Sequence, residues 1–490
     1  MNALASDFKI KANKTAKTAN GAASLHSSLN SCVDFFSKSA ACRGNEEKAV
    51  SLFKDAYKEN RETALRTLFY TRDIRGGQGE RDIFKACFLE LEKIDRETAR
   101  LNLAKLPEYG RWDDLFMFKG TSLEKDMVSV IINQLENDIA SETPSLLAKW
   151  MSSANASSKE TRKMGKFLAK SLGLSEREYR KFLSKLRSKI SIVEQNLSQK
   201  DYDSIEYSKI PSKAGLKYRK AFARNDADRY GRFLSDVQNG KVKINTGVLY
   251  PYEIIGGLSK QTGCNFNFKH DEALQTMWEN LPNYLEGNEH NGLVMADVSD
   301  SMLRGYRGIG VAPMLVSLRL ALYISERNTG DFKDLFMSFS DSPKLYDCSK
   351  GNLYEKLKRM ASADWGMTTN IEAGFKEILK TAVNNNTPQS ELPEVLYIVS
   401  DMQFDFASRT KTNFEVAKKN YKKYGYTLPK IVFWNVNASS DQPVTFDENG
   451  TALVSGCTPN IFKSILSNNT PEEVMNSIVY SERYDNLALS

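Results

Sequence analysis

Apolar residues recur at three- and four-residue steps through the first half of the chain. The stretches 45–73 and 80–106 show this spacing clearly, and it is typical of amphipathic helices. Glycine or proline separates successive helical stretches, as in RGGQGE at 75–80 and LPEYGRW at 106–112. The pattern predicts an all-α array of HEAT-like helices over residues 31–235, without a clean internal repeat.

In the second half of the chain the pattern changes to short apolar runs of strand length. Such runs occur at 292–299, 334–340, 394–402 and 430–437, and amphipathic helical stretches lie between them. Strand alternating with helix predicts a parallel sheet covered by helices on both faces. The expected fold of residues 291–490 is therefore a doubly wound, Rossmann-like α/β domain.

The chain is thus predicted to be multidomain, as its length of 490 residues also suggests. Residues 1–30, which are rich in Lys, Ala and Asn, are predicted to form a flexible N-terminal arm. Residues 236–290 carry mixed signals and are predicted to be a bridging segment between the helical array and the α/β domain.

Composition indicates a globular protein, with 41% hydrophobic and 26% charged residues. No apolar run approaches the roughly 18 residues that a membrane helix needs, and the N-terminus lacks the apolar core of a secretion signal. The six cysteines form no C-x-x-C pair, which argues against a zinc site and favours a reducing cytoplasm. We expect a cytoplasmic protein without a membrane partner, and the pattern indicates no particular oligomeric state.

The first predicted strand of the α/β domain ends in LVMADVSDSM, residues 293–302. Ligands of doubly wound sheets bind at the carboxyl ends of the strands, where this stretch places Asp297, Ser299 and Ser301. Carboxylate and hydroxyl oxygens are suitable ligands for Mg²⁺. The alternative interpretation is an ordinary polar loop that caps the following helix.

Two further segments offer oxygen ligands of the same kind. Thr369 lies in a glycine-containing loop just before a predicted helix, and Asp401 follows another apolar strand. Together the three segments resemble the metal-ion-dependent adhesion site (MIDAS) of the von Willebrand factor A domain. Thr368 remains an alternative to Thr369, because the sequence MTTN offers two adjacent threonines.

The resemblance to the A domain implies Mg²⁺ or another divalent cation as a cofactor. Ser299, Ser301 and Thr369 would coordinate the ion directly or through water. Asp297 and Asp401 would hold the metal or its water molecules. The remaining coordination position would be open to an acidic group of a partner protein.

Positive charge is concentrated in one stretch of the helical half. The whole chain carries a net charge of +7, but residues 151–220 alone contain 17 Lys and Arg against 7 Asp and Glu. Three predicted helices there carry basic residues three or four positions apart, so that each set lies on one helix face. These candidate RNA-binding residues are Lys159, Lys163, Lys166, Lys170, Arg177, Lys181, Lys185, Lys189, Lys213, Lys217, Lys220 and Arg224. Such stripes suit a phosphate backbone, although a solvated helical surface is the alternative.

A basic helical array followed by an A domain resembles the architecture of the Ro autoantigen, or TROVE module. The segments TRDIRGGQGERDIF, LPEYGRWDDLF and VLYPYEII also resemble a family of uncharacterised proteins with the same organisation. In Ro proteins a ring of HEAT-like helices holds RNA. The helical half of this chain resembles that ring only in the arrangement of its predicted elements. The Ro resemblance implies RNA binding, and RNA is favoured over DNA because no motif that reads a DNA groove is visible.

The leading prediction is therefore a non-enzymatic, Ro-like RNA-binding protein whose A domain carries Mg²⁺. The alternative is a metal-dependent interaction scaffold that binds an acidic residue of a partner protein. A metal-dependent hydrolase is not expected, because the three predicted metal loops contain no histidine or glutamate to serve as a general base.

Overall fold

The first part of the chain is helical. The computed structural model describes residues 12–14, 16–190, 192–262, 265–286, 290–299, 302, 313–338, 340–361, 368–405, 411–437, 441–456 and 461–490. The helices of the first part are α1 (Ser31–Lys38), α2 (Glu46–Glu59), α3 (Arg61–Arg72), α4 (Asp82–Ile94), α5 (Arg96–Leu101), α6 (Leu106–Tyr109), α7 (Glu124–Ala140), α8 (Leu147–Trp150), α9 (Lys159–Ser171), α10 (Glu176–Lys189), α11 (Val193–Gln199), α12 (Ser212–Asn225), α13 (Ala227–Gln238), α14 (Pro251–Leu258) and α15 (Glu272–Glu279). The predicted helical character of residues 31–235 is confirmed.

Polar side chains determine where these helices begin and end. Asn60 serves two helices at once, because its backbone N–H donates to the Ala56 carbonyl at the end of α2 and its side chain accepts from the Thr63 N–H in α3. Asn and Asp are favoured at such positions because their side chains satisfy backbone donors that have no partner within the helix. Only Asn60 separates α2 from α3, and α2, α3 and α4 pack together, with Phe53 and Phe69 in the core.

The second part contains a six-stranded sheet. The strands of the whole chain are β1 (Ala16–Lys17), β2 (Ala23–Ser24), β3 (Ser259–Thr262), β4 (Asn265–Phe268), β5 (Gly292–Ala296), β6 (Leu335–Ser338), β7 (Leu345–Asp347), β8 (Val395–Ser400), β9 (Lys430–Asn435) and β10 (Thr451–Ser455). The sheet has the order β10-β9-β8-β5-β6-β7. The helices of the second part are α16 (Pro313–Arg327), α17 (Leu353–Ala361), α18 (Ile371–Asn384), α19 (Asn413–Lys423), α20 (Phe462–Ser467) and α21 (Pro471–Val479). An α/β architecture in the second part is confirmed.

The sheet is mixed, which corrects the prediction of a purely parallel sheet. Five strands are parallel, but β7 pairs with β6 in the antiparallel direction, since the chain turns back after β6 in a short hairpin. Every residue of β5 and β8 is buried, so both faces of these strands are covered. Strand β7 is the exposed edge, where Leu345 is half exposed.

The predicted flexible arm is wrong for residues 16–30. Strands β1 and β2 form a hairpin that lies on the α/β part, where the Thr18 hydroxyl donates to the Phe404 carbonyl at 2.7 Å. Leu25 and Gln442 exchange backbone hydrogen bonds of 2.9 and 2.8 Å. These long-range contacts immobilise a segment whose polar composition suggested a tail. Residues 1–11 and 15 lie outside the described residues.

The two parts share one hydrophobic core. Helix α1 packs against the outer strand β10, and the Ser455 hydroxyl donates to the Phe36 carbonyl at 3.3 Å. The predicted bridge at 236–290 contains α14, β3, β4 and α15, and its helices pack on α16, as shown by the Trp278 indole that donates to Glu326 at 2.7 Å. The predicted boundaries therefore mark changes in the type of secondary structure. They do not divide the chain into domains with separate hydrophobic cores.

An ion pair ties the last residues of the chain to the helical part. Asp73 is fully buried and accepts hydrogen bonds from the Arg483 guanidinium at 2.8 and 3.0 Å. Next to it the Tyr484 ring stacks on Tyr109, with ring centroids 5.7 Å apart. Among the described residues no helix is both long enough and apolar enough to cross a bilayer.

We expect Arg483→Met to lower the free energy of unfolding by about 2 kcal/mol, because it leaves the buried Asp73 carboxylate without its cation. Urea denaturation followed by circular dichroism measures this change. The control is Lys58→Met, which removes the solvent-exposed pair with Asp55 and should cost less than about 0.5 kcal/mol. Equal stability of the two variants would contradict the role of Arg483.

Candidate metal site and basic helical surface

The strand order creates a crevice between β5 and β8. If the parallel strands are counted along the chain, their spatial order is 2-1-3-4-5, and the chain leaves β5 and β8 towards opposite sides of the sheet. Ligands bind at such a switch point, at the carboxyl ends of the strands. Asp297 directly follows β5 and Asp401 directly follows β8, so both carboxylates lie at this crevice.

The Asp297 carboxylate is fully buried and held by hydrogen bonds. Its Oδ1 accepts from the Ser299 N–H at 2.9 Å, and its Oδ2 accepts from the Ser400 hydroxyl. Burial and, next in size, the negative charge of Asp401 raise the pKa of Asp297 to about 7, against the lowering effect of these hydrogen bonds. Ala296 pairs with Val399, so the two buried carboxylates that follow lie at neighbouring strand ends.

Thr369 is buried and anchored by a third carboxylate. Its N–H and its hydroxyl donate to the two oxygens of Asp405, at 2.9 and 3.0 Å. The Asn20 side chain from the β1–β2 hairpin donates to the Thr369 Oγ1 at 2.7 Å. A hydroxyl oxygen has two lone pairs, so one remains after the bond from Asn20. That lone pair could coordinate a metal ion.

Asn20 also connects this threonine to the second strand end. Its amide donates to the Gln403 carbonyl at 2.8 Å, and the Gln403 N–H donates to Asp401 Oδ1 at 3.1 Å. The neighbouring Thr368 is less buried, and its hydroxyl accepts from the Asp341 N–H at 2.9 Å. This geometry favours Thr369 over Thr368 as the threonine of the site.

The structure therefore brings Asp297, Ser299 and Asp401 to one crevice and joins Thr369 to it through a hydrogen-bond network. Ser301 lies outside the described residues. Four residues that were not predicted from the sequence complete the network. They are Asn20, Ser400, Gln403 and Asp405.

The donor set of this crevice suits a hard divalent cation. Two buried carboxylates disfavour each other's charge, and a cation between them would favour both ionised forms. Hydroxyl and carboxylate oxygens are also the ligand types that Mg²⁺ prefers. Within the described ranges no three His, Cys, Asp or Glu side chains group together as metal ligands, so a cation here would depend on the Ser and Thr hydroxyls as well.

The twelve predicted RNA-binding residues lie on α9, α10 and α12, and all of them are exposed. Helices α9 and α10 pack against each other, whereas α12 packs on α13. Three of the twelve have acidic partners, which are Glu160 for Lys163 at 3.2 Å, Glu176 for Lys166 at 2.9 Å and Glu253 for Lys213. The other nine form no ion pair within the part of the chain that the structure describes.

The fold and the site define a class of protein in which a helical array and an α/β domain share one core, with a polar crevice at the switch point. Residues 18–172 and 147–286 match the domain of unknown function DUF2828, and residues 291–487 match the domain of unknown function DUF7788. The two DUF2828 matches together cover more than half of the chain, which therefore belongs to the DUF2828 family. A similar protein is the uncharacterized protein L728 of Acanthamoeba polyphaga mimivirus, which is 28% identical over 499 residues that cover 92% of this chain and 84% of the relative.

The shifted pKa of Asp297 predicts a pH-dependent stability in metal-free buffer. The folded protein binds more protons than the unfolded chain between about pH 4, near the unfolded pKa of Asp, and about pH 7, so this group destabilises the fold increasingly as the pH rises through that window. Asp297→Asn removes the titrating group. We expect the stability of the variant relative to wild type to increase from about pH 5 to about pH 7.5, in urea denaturation with EDTA.

The control for this experiment is Asp331→Asn, which changes an exposed carboxylate of the same part of the chain. Because that side chain is exposed, this substitution should change the free energy of unfolding by less than about 0.5 kcal/mol. A constant difference for Asp297→Asn would contradict the proposed burial of a repelled carboxylate.

Proposed function

We propose that this protein binds RNA through the exposed basic faces of α9, α10 and α12 and does not act on it as an enzyme. The observation that carries the proposal is the exposure of all twelve basic side chains, nine of them without an ion pair among the described residues. Neutralisation of RNA phosphates requires accessible cations that are not already paired. Helices α9 and α10 pack together, and Lys166 of α9 pairs with Glu176 at the start of α10, which supports one surface for their two stripes.

The Ro-like layout of the sequence supports the same proposal. In this interpretation the helical part is the TROVE-like, HEAT-like unit, and the α/β part is a von Willebrand factor A domain that carries a divalent cation. The described cysteines, Cys32, Cys42, Cys87 and Cys348, are free and buried, which supports a reducing, cytoplasmic environment.

Filter binding to a short single-stranded RNA across a salt series tests RNA binding. We expect an affinity of about micromolar at low salt that falls steeply as salt increases, because bound counterions are released from the RNA. The variant Lys170/Lys181/Lys185→Glu should lose binding, since it reverses three charges on the joint surface of α9 and α10. Circular dichroism should show an unchanged fold, because all three side chains are exposed.

The matched control is Lys419/Lys422/Lys423→Glu, which makes the same change of net charge on exposed positions of α19. This variant should retain most of the RNA affinity. No binding by the wild type at low salt would contradict the proposal, and so would an equal loss in both triple variants.

A second function is favoured by the carboxylates at the switch point. In this proposal a divalent cation, held by Asp297, Ser299, Ser301, Thr369 and Asp401, captures an acidic group of a partner protein. The specific observation is the pair of buried carboxylates, Asp297 and Asp401, at two neighbouring strand ends, with Thr369 joined to Asp401 through Asn20 and Gln403. The bound cation would supply Lewis acidity towards the incoming carboxylate, while the protein residues fix its position.

Thermal or urea unfolding in MgCl₂ and in EDTA tests cation binding. At a Mg²⁺ concentration of about 100 times the dissociation constant, the cation should raise the free energy of unfolding by about 2.7 kcal/mol. Asp297→Asn should abolish this gain, whereas the exposed control Asp331→Asn should retain it. A wild-type protein with equal stability in both buffers at every Mg²⁺ concentration would contradict the metal site, and capture of an acidic partner would then be untenable.

A further inference from the structure

A polar groove lies beside the basic stripe of α10. It has a volume of about 630 Å³, and α10, α11 and the segment after α8 form its walls. Arg180, Ser184, Arg187 and Ser188 line it from α10, and Gln199 lines it from α11. None of the described residues that line it is an aspartate or a glutamate. The groove is therefore rich in hydrogen-bond donors and carries positive charge.

The Arg187 guanidinium lies in this groove, and among the residues that the structure describes it contacts no carboxylate. It donates to the Ala148 carbonyl at 2.8 Å, to the Met151 carbonyl at 2.7 Å and to the Ser153 hydroxyl at 3.0 Å. All three partners are neutral, so they fix the orientation of the guanidinium but do not neutralise its charge. Burial lowers the pKa of Arg187, against a smaller raising effect of Tyr179.

Arg180 adds a second, exposed cation to the same groove. Its Nε donates only to the Glu176 backbone carbonyl, at 3.3 Å, and it forms no ion pair among the described residues. Arg180, Ser184 and Arg187 are spaced by four and three residues, which places them on one face of the helix. At 100° per residue, the stripe residues Lys181 and Lys185 lie on the face next to it.

We infer that this groove binds a phosphate group of the RNA chain, with Arg180 and Arg187 as the charged contacts. Guanidinium groups suit this ligand because their planar donors match two phosphate oxygens at once. The groove hydroxyls can donate further hydrogen bonds to the same group. The inference rests on the proposed RNA-binding function. In it, one phosphate binds most tightly in the groove, and neighbouring phosphates contact the basic stripe of α10.

The decisive variant is Ser184→Glu, tested by filter binding to the same single-stranded RNA. Ser184 is exposed in the middle of α10, so a longer side chain fits without disturbing the core. The new carboxylate would pair with Arg180, four residues earlier, and repel phosphate. We expect an affinity loss of about ten-fold, as for the loss of a charge-assisted hydrogen bond, and a salt slope that is smaller by about 1.

The matched control is Ser129→Glu, which introduces the same charge at an exposed serine in the middle of α7. It should leave RNA affinity within about two-fold of wild type, since it lies outside the groove. Arg180→Gln is a second groove variant that removes charge without adding any, and it should show the same reduced salt slope.

The outcomes separate the groove from the proposed function. If the wild type binds RNA and both groove variants bind it as the Ser129→Glu control does, the groove assignment is overturned while RNA binding stands. If the wild type binds no RNA, both fall together. A last arm uses inorganic phosphate at matched ionic strength. If phosphate stabilises the wild type but not Ser184→Glu, and RNA affinity is equal in both, the groove serves free phosphate and its assignment to RNA is overturned.

Discussion

The pairing of β5 with β8 places two acidic residues side by side at the end of a buried sheet. The Asp297 N–H donates to the Val399 carbonyl at 2.9 Å, so the register of the strands fixes how near Asp297 lies to Asp401. Strands that are buried on both faces give these carboxylates an environment of low dielectric constant, where their repulsion is strong. Hydrogen bonds from Ser400 and Ser299 offset part of that repulsion, and a divalent cation would offset the rest.

The ends of the chain connect the two parts of the molecule. Near the N-terminus, the β1–β2 hairpin reaches the strand-end loops of the sheet through Thr18 and Asn20. Near the other end, Arg483 reaches the buried Asp73 at the end of α3. A segment that precedes the helical array in sequence therefore contacts the α/β part at the crevice between β5 and β8. Separating the parts at a predicted boundary would remove contacts from both.

Local patterns in the sequence were sufficient to predict the architecture and part of the crevice. Strands β5, β8 and β9 are continuous apolar runs, because both of their faces are buried, and the residues that follow them are polar for the same topological reason. This reasoning located Asp297 and Asp401. Strand β7 escaped prediction, since three residues at an exposed edge carry no hydrophobic periodicity.

The crevice residues that were not predicted leave no recognisable pattern in the sequence, for physical reasons. Asn20 lies 349 positions from Thr369, and a hydrogen bond across that separation leaves no local signal. Asp405 is only four residues beyond Asp401. Its role is to accept hydrogen bonds from Thr369, and nothing in the local sequence distinguishes such a carboxylate from that of a surface aspartate. The hairpin was predicted as a flexible arm because it has few apolar residues. Its polar side chains instead form hydrogen bonds to the segment that follows β8.

Asn20 limits what else can approach the Thr369 hydroxyl. Its side-chain amide has two N–H groups, and both are used, one by Thr369 Oγ1 and one by the Gln403 carbonyl. The Asn20 side chain therefore lies at the edge of the crevice with both of its N–H groups engaged. A ligand that displaced the Asn20 side chain would break both hydrogen bonds. Their loss costs about 2 kcal/mol, which corresponds to roughly a thirty-fold weaker apparent affinity. A ligand that leaves both hydrogen bonds of Asn20 in place avoids that cost, because these bonds join the hairpin to Thr369 and to the segment that follows β8.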